Sequence, residues 1–245
     1  MSLISRVLLI LIVAAYALTG TAAGESPTTP TEGKTNGEKW WRGNFERINA
    51  DIKKMDGKID LAFVGDSITA RWREDAWKKH WGSYRAVNMG IGGDRTQNVL
   101  WRLENGQLDG YEARVFVVMI GTNNCSDKSA DPADVAAGIK AILNLIQSKQ
   151  PKAKILLMSI LPTGEKPGPG REKRAAVNAL ISKFDGGAVH YMDIGAKFLE
   201  PDGSISKEVM GDFLHLAPKG YDVWAQAIGG KVKECLSDAK SGKTP

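Results

Sequence analysis

The chain has 245 residues, of which 42% are hydrophobic and 25% charged, with a net charge of +5. That is the makeup of a soluble globular protein able to build a core of ordinary size, and the length fits one domain with appendages better than two. The basic residues are scattered in short clusters such as Lys53-Lys54 and Lys78-Lys79. No basic stripe interleaved with aromatics is present, so nucleic acid is excluded as a partner.

Residues 1–23 read as a secretory signal peptide. Arg6 is the only charge, Leu8 to Leu18 form an unbroken apolar run, and the small residues Thr21-Ala22-Ala23 follow. The run is short for a membrane span, although an uncleaved anchor is the alternative. The expectation is a secreted or periplasmic protein with no stable membrane span after cleavage. Residues 24–37 are rich in Thr, Pro, Gly, Lys and Glu and read as a flexible linker. The folded domain is expected over 38–236, with a polar, fraying tail at 237–245.

Within the domain, helical and apolar patterns alternate. Asn44 to Met55 places Phe45, Ile48, Ile52 and Met55 at helical spacing. Strand candidates follow at Leu61–Val64, Arg85–Met89, Val115–Ile120, Ile155–Ile160 and Val189–Ile194, the strongest being the apolar run Val115–Ile120. Continuous runs of this kind suit a parallel sheet covered on both faces. Between them, Pro132 to Gln150 (with Asp131 as N-cap), Arg171 to Phe184 and Lys219 to Leu236 read as helices. The expected architecture is a three-layer α/β/α sandwich on a parallel sheet. Of the two cysteines, Cys125 follows a strand end. Cys235 lies on the order of 20 Å along the last helix from its start, so the pair is expected to be unbridged.

In such sheets, sites gather at the carboxyl ends of the strands. The residues there are Gly65-Asp66-Ser67, Gly90-Ile91-Gly92-Gly93-Asp94, Gly121-Thr122-Asn123-Asn124 and Leu161-Pro162. Ser67, after the first strand, is either a helix cap or a nucleophile in reach of a base. Of three histidines, His80 sits in a Trp-rich helical stretch as a surface or packing residue and His190 in a strand, leaving His215. Asp212 precedes His215 by three residues, which puts both side chains on one side of a turn. There it either orients the imidazole or caps the turn. Gly93 and Asn123, with the Ser67 amide, are candidate donors to an oxyanion. Taken singly, Gly92-Gly93 also reads as a turn and Asn123 as a cap.

Gly65-Asp66-Ser67-Ile68, Gly93 within Asn88 to Asp94, Gly121-Thr122-Asn123-Asn124 and Asp212-Phe213-Leu214-His215 resemble, in order, the four blocks of the SGNH (GDSL-like) hydrolases. Within that family the chain is most similar to the catalytic subunits of platelet-activating-factor acetylhydrolase. Val99 to Gly106 and Arg171-Glu172-Lys173 add to the likeness. The resemblance implies a flavodoxin-like five-stranded sheet. It also implies Ser67 as nucleophile, Asp212 and His215 completing a triad, and Ser67, Gly93 and Asn123 as the oxyanion hole. Ile68 replaces the Leu of the GDSL pattern. The signal peptide is a second departure, because the animal subunits are cytosolic.

The expected function is hydrolysis of short-chain esters, acetyl first, without metal or organic cofactor. The substrate is a small ester, an acetylated carbohydrate or a lipid O-acyl ester, and a homodimer is left open. The alternative is a non-catalytic carbohydrate-binding or scaffolding module on the same fold. An α/β-hydrolase would carry Gly-x-Ser-x-Gly, and a dinucleotide site a third glycine where Arg95 stands. There is no His-Glu-x-x-His and no cysteine cluster for zinc.

Overall fold

The structure, a computed structural model, describes residues 25–241. The signal-peptide reading of residues 1–23 lies outside the described residues, as do 242–245 of the tail.

Five strands, β1 (Lys58–Gly65), β2 (Ala86–Gly90), β3 (Glu112–Met119), β4 (Lys154–Met158) and β5 (Val189–Met192), form one sheet in the order β2-β1-β3-β4-β5. Every pairing is parallel. This is the flavodoxin-like order, as expected.

The unbroken apolar runs are explained by two cores. Along β1, Ala62 and Val64 enter one core while Leu61 and Phe63 enter the other; along β3, Phe116 and Val118 alternate in the same way with Val115 and Val117. A strand buried on both faces has no polar side to show.

The first core is closed by α1 (Glu38–Lys53), α4 (Thr96–Arg102), α6 (Pro132–Lys149) and α7 (Pro169–Ile181). The second is closed by α3 (Glu74–Trp81) and α8 (Pro218–Ser241). Two one-turn helices, α2 (Ser67–Ala70) and α5 (Thr122–Cys125), start just beyond the ends of β1 and β3. Helix α6 starts as predicted, with the Asp131 carboxylate accepting from the Ala133 N–H and Pro132 in the first turn.

The structure departs from the sequence reading most at the two ends of the domain. Helix α1 begins at Glu38 rather than Asn44, because Trp41 joins Ile48 and Ile52 as its buried stripe. Helix α8 continues past Leu236 to Ser241. Residues 25–37 lack helix and strand, yet they lie against the domain. The Thr31 N–H donates to Gln97 O (3.1 Å), Thr96 Oγ1 to Pro27 O (2.9 Å), and Asn98 Nδ2 to Thr31 O (3.0 Å). Cys125 and Cys235 are buried and unpaired. Among the described residues no helix is long and apolar enough to cross a membrane.

Candidate active site

Strand β1 delivers the chain into a tight turn at Gly65-Asp66. Asp66, not Ser67, caps α2, its Oδ1 accepting the Ile68 N–H at 2.9 Å. The Ser67 hydroxyl is therefore not consumed by capping. It donates instead to His215 Nε2 at 3.0 Å, across 148 residues of chain. Tyr221, on the first turn of α8, donates its hydroxyl to Ile68 O (2.8 Å) and ties α2 to the segment that carries His215.

The imidazole is aligned by a single carboxylate. His215 Nδ1–H donates to Asp212 Oδ2 at 2.7 Å. Asp212 Oδ1 accepts the His215 N–H (2.7 Å) and the Leu214 N–H (3.1 Å), closing a turn in which Phe213 takes a left-handed φ of 58°. The two readings of Asp-x-x-His are thus not exclusive: one oxygen caps the turn and the other orients the ring. Partial desolvation pushes the Asp212 carboxyl up, but the imidazole and the two amides outweigh it and hold the carboxyl at about 2. An ionised carboxylate only accepts, so the imidazole proton sits on Nδ1 and Nε2 is left with a free lone pair.

Gly93 follows β2 in a turn with φ of 79°, a conformation that suits glycine, and a Cβ there would run into the Thr35 side chain. Asn123 lies inside α5 and is not a cap. Its Nδ2 donates one hydrogen to Asp94 O at 2.8 Å, which fixes the amide and leaves the second hydrogen free. Ser67, Gly93, Asn123 and His215 line one cleft of about 1030 Å³, together with Gly92 and Leu214.

Behind this cleft lies a network that the sequence reading did not single out. Asp94 is fully buried. Its Oδ1 accepts from Trp41 Nε1 at 2.7 Å and its Oδ2 from Arg102 Nε at 2.8 Å. Arg102, equally buried, also donates to Gln107 Oε1 (2.7 Å) and to Gly65 O (3.2 Å). One guanidinium therefore ties the end of β1, just before Ser67, to the residue that follows Gly93. Burial lifts the Asp94 carboxyl to about 6, with the guanidinium and the indole N–H pulling the other way. Asp66, whose Oδ2 has no partner, is lifted by burial to about 7. Asp94 and Arg102 both fall inside motif blocks already noticed, but nothing in their spacing announces a buried pair.

The other histidines lie elsewhere. His80 Nε2 meets Asp222 Oδ1 at 2.5 Å on the α3–α8 side, and His190 sits on β5. Among the described residues, no three His, Cys, Asp or Glu side chains converge to hold a metal ion. A hydroxyl bonded to an imidazole that is itself bonded to a carboxylate, beside preset N–H donors, is the arrangement that acyl transfer requires.

The class of protein that this fold and cleft define is an ester hydrolase. The chain belongs to the GDSL-like lipase/acylhydrolase family, whose model matches residues 63–223. It is 42% identical over 210 residues to platelet-activating factor acetylhydrolase IB subunit alpha2 of Homo sapiens, covering 84% of this chain and 90% of that one. It is 37% identical over 228 residues to subunit alpha1 of Rattus norvegicus, covering 91% and 96%. Among solved structures, a GDSL-like lipase from Bacteroides thetaiotaomicron superposes with a TM-score of 0.64 at 18% identity, covering 78% of this chain and 98% of that one. A carbohydrate acetylesterase from Sinorhizobium meliloti superposes with a TM-score of 0.56 at 18% identity, covering 72% and 99%.

Proposed function

We propose that this protein is a secreted serine esterase that removes short acyl groups, acetyl first, from O-acyl esters of a carbohydrate or lipid. The observation that carries the reading is the hydrogen-bonded chain Ser67–His215–Asp212, assembled from opposite ends of the domain at 3.0 and 2.7 Å. Ser67 Oγ attacks the acyl carbon while His215 Nε2 takes its proton. Asp212 keeps the ring in the Nδ1–H tautomer and stabilises the imidazolium that forms. The Ser67 and Gly93 amides and the second Asn123 amide hydrogen receive the negative charge of the tetrahedral intermediate. His215 then protonates the leaving alcohol, and water deacylates the enzyme by the same route.

The acetyl preference is supported by the relatives at 42% and 37% identity, which are named acetylhydrolases. Secretion is supported by the pattern of residues 1–23. The test is turnover of p-nitrophenyl acetate by the wild-type protein and by Ser67→Ala. The variant is expected to lose on the order of 10³-fold or more. Equal rates would remove the esterase and leave the binding module.

A further inference from the structure

The cleft is larger than a short acyl group requires. From the Ser67–His215 end it extends along α1, whose Trp40, Asn44, Arg47 and Asp51 all line it. Their spacings of four, three and four residues put them on one helix face, a stretch of roughly 16 Å at 1.5 Å per residue. Arg71 and Trp77 stand in the other wall, and the outer edge strand β2 contributes to the lining.

Trp40 is the one exposed large hydrophobic side chain among the described residues, 42% accessible, while Trp41 beside it is fully buried. A Cβ on Gly92 would sit 3.4 Å from Trp40 Cη2 and 3.8 Å from Ser67 Cβ. The tip of the indole thus lies against the turn beside the nucleophile, with much of the ring uncovered. Asn44 Nδ2 donates to Trp40 O (3.0 Å), and Arg47 pairs with Asp51 at 3.1 Å. Arg71, one turn beyond Ser67, has no acidic partner among the described residues and offers its guanidinium to the groove.

Resting on the esterase reading, we propose that this groove is a leaving-group subsite for a carbohydrate chain, with Trp40 as the platform on which the sugar nearest the scissile ester stacks. The chemistry of the walls selects that occupant. A lipid tail laid along α1 would take the Arg47–Asp51 pair and the Asn44 amide out of water and leave the Arg71 guanidinium without a partner, at about 1–3 kcal/mol for an unsatisfied group. Sugar hydroxyls can hydrogen-bond to these groups, while Met55, Trp77, Ala86 and Val87 in the same lining meet the C–H faces of the rings. The C–H face of a sugar, slightly positive, suits the negative face of an indole.

The test compares kcat/KM for acetylated xylo-oligosaccharides of increasing length with that for p-nitrophenyl acetate and for short-chain phosphatidylcholine. In the wild-type protein kcat/KM is expected to rise with chain length and to exceed that for the phospholipid. Trp40→Ala should lower the ratio of oligosaccharide to aryl-ester kcat/KM by about tenfold, through KM, and Trp40→Phe should restore most of it. Aryl-ester turnover with no dependence on chain length, a preference for the phospholipid, or an unmoved ratio in Trp40→Ala would overturn the subsite while leaving the esterase standing. No aryl-ester turnover in the wild-type protein would remove both.

Discussion

Arg102 and Asp94 form an ion pair at 2.8 Å with neither side chain exposed to solvent. The pair lies behind the cleft and joins the loops that follow β1 and β2. Arg102 reaches back to Gly65 O, and the Asp94 carbonyl accepts from Asn123 Nδ2. Replacing Arg102 by Met would leave the Asp94 carboxylate with the Trp41 N–H alone in a dry environment. Breaking a buried pair from one side costs about 3–5 kcal/mol. Arg102→Met is therefore expected to lower the unfolding free energy, extrapolated to water from guanidinium titration, by that much. A loss below about 1 kcal/mol would show that the pocket hydrates and that the pair is not needed.

Asn123 is positioned by the same network but is expected to act on the reaction rather than on the fold. Asn123→Ala removes an amide whose fixed hydrogen bond is to a backbone carbonyl at the rim. Losing one donor to a developing oxyanion typically costs about 10²–10³-fold in kcat. The expected result is a drop of that size with KM little changed, read from steady-state kinetics on p-nitrophenyl acetate. A drop confined to KM would mean that the amide binds the ground state only.

The sheet and the residues that converge on the cleft were readable in the sequence because both leave local marks. Val115 to Ile120 is a continuous apolar run of strand length, the mark of a strand buried on two sides, and Asp212 and His215 are close enough in the chain for one turn to bring them together. The groove wall was not readable. Trp40 and Trp41 are adjacent in sequence with opposite fates, one exposed and one buried. Only the docking of α1 on the sheet, with Trp41 Nε1 on Asp94, decides which indole turns inward. The same holds for residues 25–37. Their composition reads as linker, and their backbone bonds to the start of α4 are tertiary contacts that no local pattern announces.

Asp212 serves the turn through Oδ1 and the imidazole through Oδ2, so its two roles separate in one substitution. Asp212→Asn, with the amide oxygen at the Oδ1 position, still accepts the Leu214 and His215 N–H groups. Its NH2 then faces Nδ1 and favours the tautomer with the proton on Nε2, which cannot accept from Ser67. The expected outcome is a kcat lower by about 10³–10⁴-fold with an unchanged unfolding temperature. Unfolding of the variant would instead assign the carboxylate to the turn alone.

In the wild-type protein Asp212 stays ionised down to about pH 2. Any acid limb in kcat/KM above that range is therefore expected to come from a group other than Asp212, and protonation of this carboxylate is expected to cost activity only near pH 2. A limb at higher pH that disappears in Asp212→Asn but not in Asp66→Asn would show that the carboxylate titrates well above that value.

Asp66 offers a test on stability. Burial raises its carboxyl from 3.8 to about 7, with the Asp94 charge adding to the rise. Between about pH 4 and 7 the folded chain therefore holds a proton that the unfolded chain has released. The Asp66 contribution to stability is therefore expected to fall as pH rises through that window and to be lost above about 7. Asp66→Asn keeps the Oδ1 acceptor for the Ile68 N–H and removes the titration. Its new NH2 replaces an oxygen that has no partner, a cost that does not change with pH. The absolute unfolding temperature of the variant is then less informative than its slope. Melting curves at pH 5, 6, 7 and 8 are expected to decline less steeply for Asp66→Asn than for the wild-type protein. Two parallel declines would mean that the carboxyl is already ionised in the folded state, with a donor reaching Oδ2.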